Sequence, residues 1–231
     1  MLSVIVPVYN EEATVGLVLS RLTRLEFVRE VIVVDDGSTD RTYEVISEME
    51  GGKVVTVRID RNKGKAEAVK RGLSLVSSGT EVIAIQDADL EYPPENLLRL
   101  YDAYLTTGAD MVVGVRTMSW DEITGISLGS FVANKLIAYL TGCPDVFSGQ
   151  RIIKKSFIEE VGLSSEGFEI ETELTMKAIL GGYKVVWEKV DYKPRSRAEG
   201  KKIGTLDFLK IMKTYWSLKL SKGKAWGYGH S

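Results

Sequence analysis

Apolar and polar positions along this chain fall into two alternating patterns. Short runs of Val, Ile and Leu ("LSVIVPVY", "EVIVVDD", "KVVTVRI", "EVIAIQD" and "DMVVGVR") are separated by stretches in which apolar residues recur at helical spacing. Runs of the first kind predict strands buried on both faces, and the intervening stretches predict helices. One helix is expected after the first strand to about residue 25, a second from about Thr39 to Met49, and a third with Ala66, Val69, Leu73 and Val76 on one side. A fourth is opened by Pro93 and Pro94, whose missing N–H groups cost little in a first turn. Strands and helices in this alternation make an α/β fold: a mostly parallel central sheet with helices on both faces.

In such sheets ligands bind beyond the carboxyl ends of the strands, near the point where strand order reverses. The five strand ends deliver "PVYNE" (7–11), "DDGSTD" (35–40), "DRNKGK" (60–65), "DADLE" (87–91) and "GVR" (114–116), so most polar clusters of the first half share one edge. The turn after the first strand lacks a Gly-rich fingerprint and no GxxxxGK[ST] occurs, which argues against an ordinary dinucleotide site and against a P-loop.

Composition narrows the chemistry. A chain of 231 residues, 44% hydrophobic, suits one large domain or one domain with a modest extension. Cys143 is the only cysteine, so no internal disulfide forms and a reducing compartment is expected. His230 is the only histidine, which excludes a zinc site built on histidines and a Ser-His or Cys-His nucleophile. No run of about 18 apolar residues spans a bilayer, and "MLSVIVPVYN" lacks the features of a signal peptide, so a cytoplasmic location is expected. The net charge of −2 hides a division: residues 193–231 hold ten Lys/Arg against two Asp/Glu. A basic tail on an acidic body suits an anionic partner, lipid headgroups or phosphates, or else a solvated helix face.

The stretch "IAIQDADLEYPPE" (83–95) carries the sharpest chemical signal. If the segment stays extended, Asp87 and Asp89 point to one side, and two like charges that close call for a cation between them. Carboxylate oxygens without His or Cys favour Mg²⁺ or Mn²⁺, with Glu91 a third ligand or a neighbour of the ligands. The alternative is an acidic turn capping the next helix. Asp36 can accept hydrogen bonds from a ribose or base, or stabilise its own turn. Lys63 and Lys65, flanking Gly64 at a helix start, suit a bound phosphate or are ordinary solvated lysines.

Four motifs in register, "SVIVPVYNEE", "VIVVDDGSTDRT", "NKGKAEAVKRG" and "DADLEYPPE", together resemble the family-2 glycosyltransferases of the GT-A fold, especially dolichyl- or polyprenyl-phosphate mannose and glucose synthases. The likeness continues in "GVR", "SGQR" and "YKPRSRAEGKKIG" and covers roughly residues 1 to 205. It implies a single Rossmann-like catalytic domain over 1–205, followed by a basic amphipathic helix and tail over 206–231. By position it places Pro7, Tyr9 and Glu11 at the nucleotide base, Val34 and Asp36 beside base and ribose, and Asp87, Ala88 and Asp89 at the sugar diphosphate, with the two acids on metal. Arg116 would meet the acceptor phosphate or the donor's phosphates, and Arg197 and Lys202 would close over the diphosphate, with Arg195 the alternative in that loop.

The reaction implied is hexose transfer, with inversion, from GDP-mannose or UDP-glucose to a polyprenyl (dolichyl) phosphate. A hydroxyl acceptor on a glycan or small molecule would need a base, for which Glu171 of "GFEIETE" is the candidate, with helix capping as its other role. A non-catalytic nucleotide-sugar-binding module is the remaining alternative, and no nucleic-acid partner is expected. Glu91 departs from the Gln common in the mannose synthases, and Lys135 is the only basic residue between "GVR" and "SGQR". Leu209, Met212, Trp216 and Leu220 recur at helical spacing among lysines, a pattern that suits either packing on the domain or peripheral contact with the cytoplasmic face of a membrane.

Overall fold

The computed structural model describes residues 1–117, 138–139, 142–195 and 205–221. The apolar runs become strands β1 (Leu2–Val8), β2 (Val28–Asp35), β3 (Val54–Arg58), β4 (Val82–Ile85) and β5 (Met111–Thr117), with β6 (Arg151–Lys154) and β7 (Val185–Asp191) added. The helices are α1 (Val15–Thr23), α2 (Thr42–Glu48), α3 (Lys65–Leu73), α4 (Asn96–Thr107), α5 (Lys155–Val161), α6 (Ile170–Leu180) and α7 (Thr205–Ser221). One sheet runs β3-β2-β1-β4-β6-β5-β7. It is parallel except at β6, which lies antiparallel between β4 and β5. The four-residue "RIIK" of β6 is too short a run to be told from a helix segment by periodicity.

Alternation along the strands builds two apolar layers. Val4, Val6, Val8, Val31 and Val33 face one way, onto Val15, Val18, Leu19 and Leu22 of α1, Ile46 of α2 and Leu97 and Leu100 of α4. Ile5 faces the other way, onto Ala66 and Val69 of α3, Phe157 and Ile158 of α5 and Leu174 of α6. Every residue of β1 is buried, and each aliphatic side chain so enclosed contributes about 1.5–3 kcal/mol before the entropy of ordering it. The chain steps from β1 to β2 and β3 on one side, then returns to place β4 on the other side of β1. The carboxyl ends of β1 and β4 therefore lie side by side at the point where the strand order reverses, the place at which such sheets bind their ligands.

Pro93 and Pro94 precede α4 rather than opening it. Their carbonyls accept the N–H groups of Asn96 and Leu97 in a turn that leads into the helix. The C-terminal helix also differs from its expected stripe. Met212, Tyr215 and Leu218 of α7 pack against Cys143, Val146 and Met176, whereas Trp216 and Leu220 are 45% and 76% exposed. Lys210, Lys213 and Lys219 are exposed as well. Among the described residues no helix is long and apolar enough to cross a membrane.

Helix α6 is anchored by Glu173, whose side chain is fully buried. Its carboxylate accepts the backbone N–H groups of Ser164 and Ser165, both at 2.8 Å, together with both serine hydroxyls, and it pairs with Lys177 at 2.7 Å. Burial pushes this carboxyl up, but hydrogen bonds from Lys177, Ser164 and Ser165 outweigh it and hold the group at about 2, against an ordinary 4.5. A depressed carboxyl stabilises the fold above its unfolded pKa, and that stabilisation is lost as pH falls from about 4.5 toward 2. Glu173→Gln is expected to cost about 3 kcal/mol at pH 7 and much less at pH 3, read from urea midpoints at the two pH values.

Candidate active site

The loops after β1 and β2 are stitched together. Asn10 N–H donates to Ser38 Oγ at 2.9 Å, Thr39 N–H to Asn10 Oδ1 at 2.8 Å, Glu11 N–H to Thr42 Oγ1 at 2.8 Å and Arg41 N–H to Glu12 Oε2 at 2.9 Å. These bonds fix "PVYNEE" against "DDGSTDRT" before any ligand is considered. Asp36 does similar work toward the third loop: its oxygens accept Lys63 N–H at 2.8 Å and Gly64 N–H at 2.7 Å. Gly64 has φ +97°, and a Cβ there would lie 2.3 Å from the carbonyl of Glu166, so only glycine fits. Burial raises the Asp36 carboxyl, with the two N–H groups opposing.

The loop after β4 is held just as firmly. Gln150 Nε2 donates to Gln86 Oε1 at 2.6 Å, and Gln86 Nε2 donates to the carbonyls of Asp87 and Tyr92, both at 3.0 Å. Within this frame Leu90 takes a left-handed φ of +63°, a strained conformation for a bulky residue and one concentrated at functional loops. Asp87 turns inward: its Oδ1 lies 2.5 Å from Lys65 Nζ, which also contacts Glu171 Oε1 at 2.6 Å. A Cβ at Gly149 would fall 2.1 Å from Asp87 Oδ2, so this glycine makes room for the carboxylate. Asp89 turns elsewhere, accepting Glu91 N–H at 3.1 Å and Arg195 Nη2 at 3.1 Å. Burial and the charges of Asp87 and Glu91 push the Asp89 carboxyl up to about 7, against the pull of Arg195.

After β7 the chain lies as a strap across this loop. Lys193 N–H donates to the Glu91 carbonyl, Tyr192 OH to Glu91 Oε2 and Arg195 N–H to Glu91 Oε1, each at 2.9 Å. The Arg195 guanidinium then crosses to the β1 side and grips Glu11 with both terminal nitrogens, at 2.8 and 2.9 Å. One side chain thus joins the two sides of the switch point. On β5, Arg116 makes a forked pair with Asp145 at 2.7 and 2.8 Å, and its guanidinium lies 5.2 Å from the centre of the Tyr192 ring.

The structure therefore brings together Glu11, Asp87, Asp89, Glu91, Lys65, Glu171 and Arg195 and gives several of them tasks the sequence does not state. Lys65, expected at an anion, is an internal counter-ion to two carboxylates. Glu171, the candidate base, is the second of those carboxylates, and Glu91, expected near metal, holds the strap. Pro7, Val34 and Ala88 are buried, so only backbone or loop shape can serve a ligand there, while Tyr9 is half-exposed at the edge. Arg197 and Lys202 lie outside the described residues. Asp145, Tyr192 and the fully buried Arg151, which donates to the Glu171 and Ser148 carbonyls, were not singled out by sequence. The motifs that pointed near them are "SGQR", which contains Arg151 and follows Asp145 by three residues, and "YKPRSRAEGKKIG", which begins at Tyr192.

Among the described residues no group of three or more His, Cys, Asp or Glu side chains is set to hold a metal. The chemistry of the donor set still fits a hard cation at Asp89: this carboxylate is largely buried, and the neighbouring acids Asp87 and Glu91 crowd it with like charge.

Residues 3–162 match the sequence profile described as Glycosyl transferase family 2. A dolichol-phosphate mannosyltransferase of Pyrococcus furiosus is 31% identical over 229 residues, 94% of this chain and 63% of that protein. An undecaprenyl-phosphate 4-deoxy-4-formamido-L-arabinose transferase of Aeromonas hydrophila is 39% identical over 152 residues, 62% of this chain and 44% of that one. A polyprenol monophosphomannose synthase of Mycolicibacterium smegmatis is 28% identical, covering 87% of this chain and 81% of its own. The chain thus spans less than two thirds of the first two relatives. Among solved structures, the glucosyl-3-phosphoglycerate synthase of Mycobacterium tuberculosis superposes with a TM-score of 0.74 at 23% identity, over 94% of this chain and 79% of that one. That likeness establishes the shared fold.

Proposed function

The chain belongs to glycosyl transferase family 2, and from that premise we propose that it moves a hexose from GDP-mannose or UDP-glucose to a polyprenyl (dolichyl) phosphate, with inversion at the anomeric carbon. The main support is the meeting of Glu11 and Asp89 across the β1/β4 switch point, where such sheets bind their ligands. Residues 1–205 are the catalytic unit and 206–231 a basic C-terminal extension. The relatives named for lipid-phosphate sugar transfer favour this acceptor class.

The nucleotide lies over the stitched β1 and β2 loops, with Tyr9 and Glu11 at its base and Asp36 shaping the loop beneath the ribose. The diphosphate lies at the β4 loop. Asp89 is the principal carboxylate for Mg²⁺ or Mn²⁺, with Asp87 and Glu91 adding negative field, and a cation bound there stabilises charge on the departing diphosphate. Arg116, held rigid by Asp145, presents positive charge toward the acceptor phosphate, and Arg197 and Lys202, which follow Arg195 in sequence, supply more. No general base is required, because a phosphate acceptor is already anionic. The pairing of Glu171 with Lys65 favours this acceptor over a hydroxyl, since the carboxylate that would serve as base is already engaged by an internal ammonium at 2.6 Å.

The outward Trp216 and Leu220, flanked by Lys210, Lys213 and Lys219, suit the headgroup level of an anionic bilayer in which such an acceptor resides. The test is incubation with radiolabelled GDP-mannose or UDP-glucose and Mn²⁺, with polyprenyl phosphate in anionic vesicles. Label is expected in the lipid phase only with the cation present. Label transferred solely to a water-soluble hydroxyl acceptor, or no transfer to lipid with either donor, overturns the assignment.

A further inference from the structure

Resting on that donor-site assignment, we propose that in the free protein the Arg195 guanidinium takes the place of the divalent cation, and that Glu91 keeps it there. Arg195 and the metal then exclude one another at Asp89. Three acids from the loops after β1 and β4 meet this single residue: Glu11 and Asp89 at its guanidinium, and Glu91 at its backbone N–H. A positive group between carboxylates does what a metal does there, which is to offset like charges that otherwise repel.

Coexistence is unfavourable for a simple reason. A metal bound to Asp89 sits about 2 Å from its oxygens. The Arg195 nitrogen already lies 3.1 Å from Asp89 Oδ2, so the two positive charges would stand within a few ångströms in a site where Arg195 is only 17% exposed.

Two further features suit a group that is resident rather than permanent. Arg195 Nε is buried without a hydrogen-bond partner among the described residues, so the pose leaves one donor unsatisfied. In addition, one guanidinium faces both Glu11 and Asp89, whereas a divalent cation matches two carboxylates in charge. Glu91 supplies the opposing hold, through its carbonyl on Lys193 and its two oxygens on Tyr192 and Arg195. A nucleotide that engages Glu11 removes the better half of the guanidinium's grip, so nucleotide and cation favour each other's binding while each alone competes with Arg195.

Mn²⁺ binding, read by electron paramagnetic resonance of the free ion, separates the cases without any turnover. Wild type, Arg195→Ala and Lys193→Ala are compared with Mn²⁺ alone and with Mn²⁺ plus GDP or UDP, and melting temperatures confirm folding. Arg195→Gln, which keeps the stem, carries the same expectation if the alanine variant melts early. Arg195→Ala is expected to bind Mn²⁺ alone about tenfold more tightly than wild type. Lys193 is exposed, and its loss, the same change in charge, should alter affinity less than about twofold. An unchanged affinity in Arg195→Ala, or an equal gain in Lys193→Ala, overturns the exclusion. Wild type that binds no Mn²⁺ even with a nucleoside diphosphate overturns the donor-site assignment itself and the exclusion with it.

Discussion

Asp89→Asn is expected to lower sugar transfer by roughly a hundred- to a thousandfold while leaving the melting temperature close to that of wild type. Asparagine keeps the shape of the side chain and its carbonyl oxygen can still accept Glu91 N–H, so the loop geometry survives. What is lost is the charge. Burial, together with the charges of Asp87 and Glu91, pushes the Asp89 carboxyl up to about 7, and that crowding of like charge is what a cation would relieve. Removing one charge from a crowded acidic set does not destabilise the fold, and Arg195 retains its forked grip on Glu11. Paired measurement of kcat and of urea midpoints distinguishes the outcomes. A variant that transfers sugar at the wild-type rate removes Asp89 from the chemistry. One that loses activity and stability together makes Asp89 a structural residue.

How much of this was legible in the sequence depends on the kind of interaction. The first five strands and the two-layer core follow from runs such as "SVIVPV", because a strand buried on both faces has no room for polar residues. The edge at which Glu11, Asp36 and Asp89 gather followed as well, since parallel strands deliver all their carboxyl ends to one side. The orientation of each acid did not. Asp87 and Asp89 are two residues apart and would share a face in an extended segment, yet the chain bends after β4, and Asp87 faces inward to Lys65, where Gly149 leaves it room, while Asp89 faces Arg195. Partners 22 to 106 residues away, such as Lys65 for Asp87 and Arg195 for Asp89, leave no spacing signature. The apolar stripe of α7 misled for a similar reason: Tyr215 and Leu218, not Trp216 and Leu220, find a complementary surface at Cys143, Val146 and Met176.

Lys65→Met carries the second large expectation, a loss of about 3–5 kcal/mol of folding stability. The Lys65 side chain is 9% exposed and stands between Asp87 and Glu171, themselves 20% and 7% exposed. Burial alone would lower the affinity of this ammonium for its proton, but the two carboxylates outweigh burial and hold it charged well above its ordinary range. Methionine fills nearly the same volume and leaves two acids facing each other with no counter-charge. A solvated lysine that merely attracts phosphate would give the opposite pattern, with stability unchanged to within about 0.5 kcal/mol and only donor affinity reduced. The double variant Lys65→Met/Glu171→Gln separates strain between charges from loss of packing. With Glu171 neutral, only Asp87 is left unpaired, so roughly half of the lost stability should return, as expected for residues coupled through one buried network. Urea midpoints of the two variants against wild type decide it, because a double variant no more stable than Lys65→Met would locate the cost in packing and dissolve the link between Glu171 and the acid beside the donor.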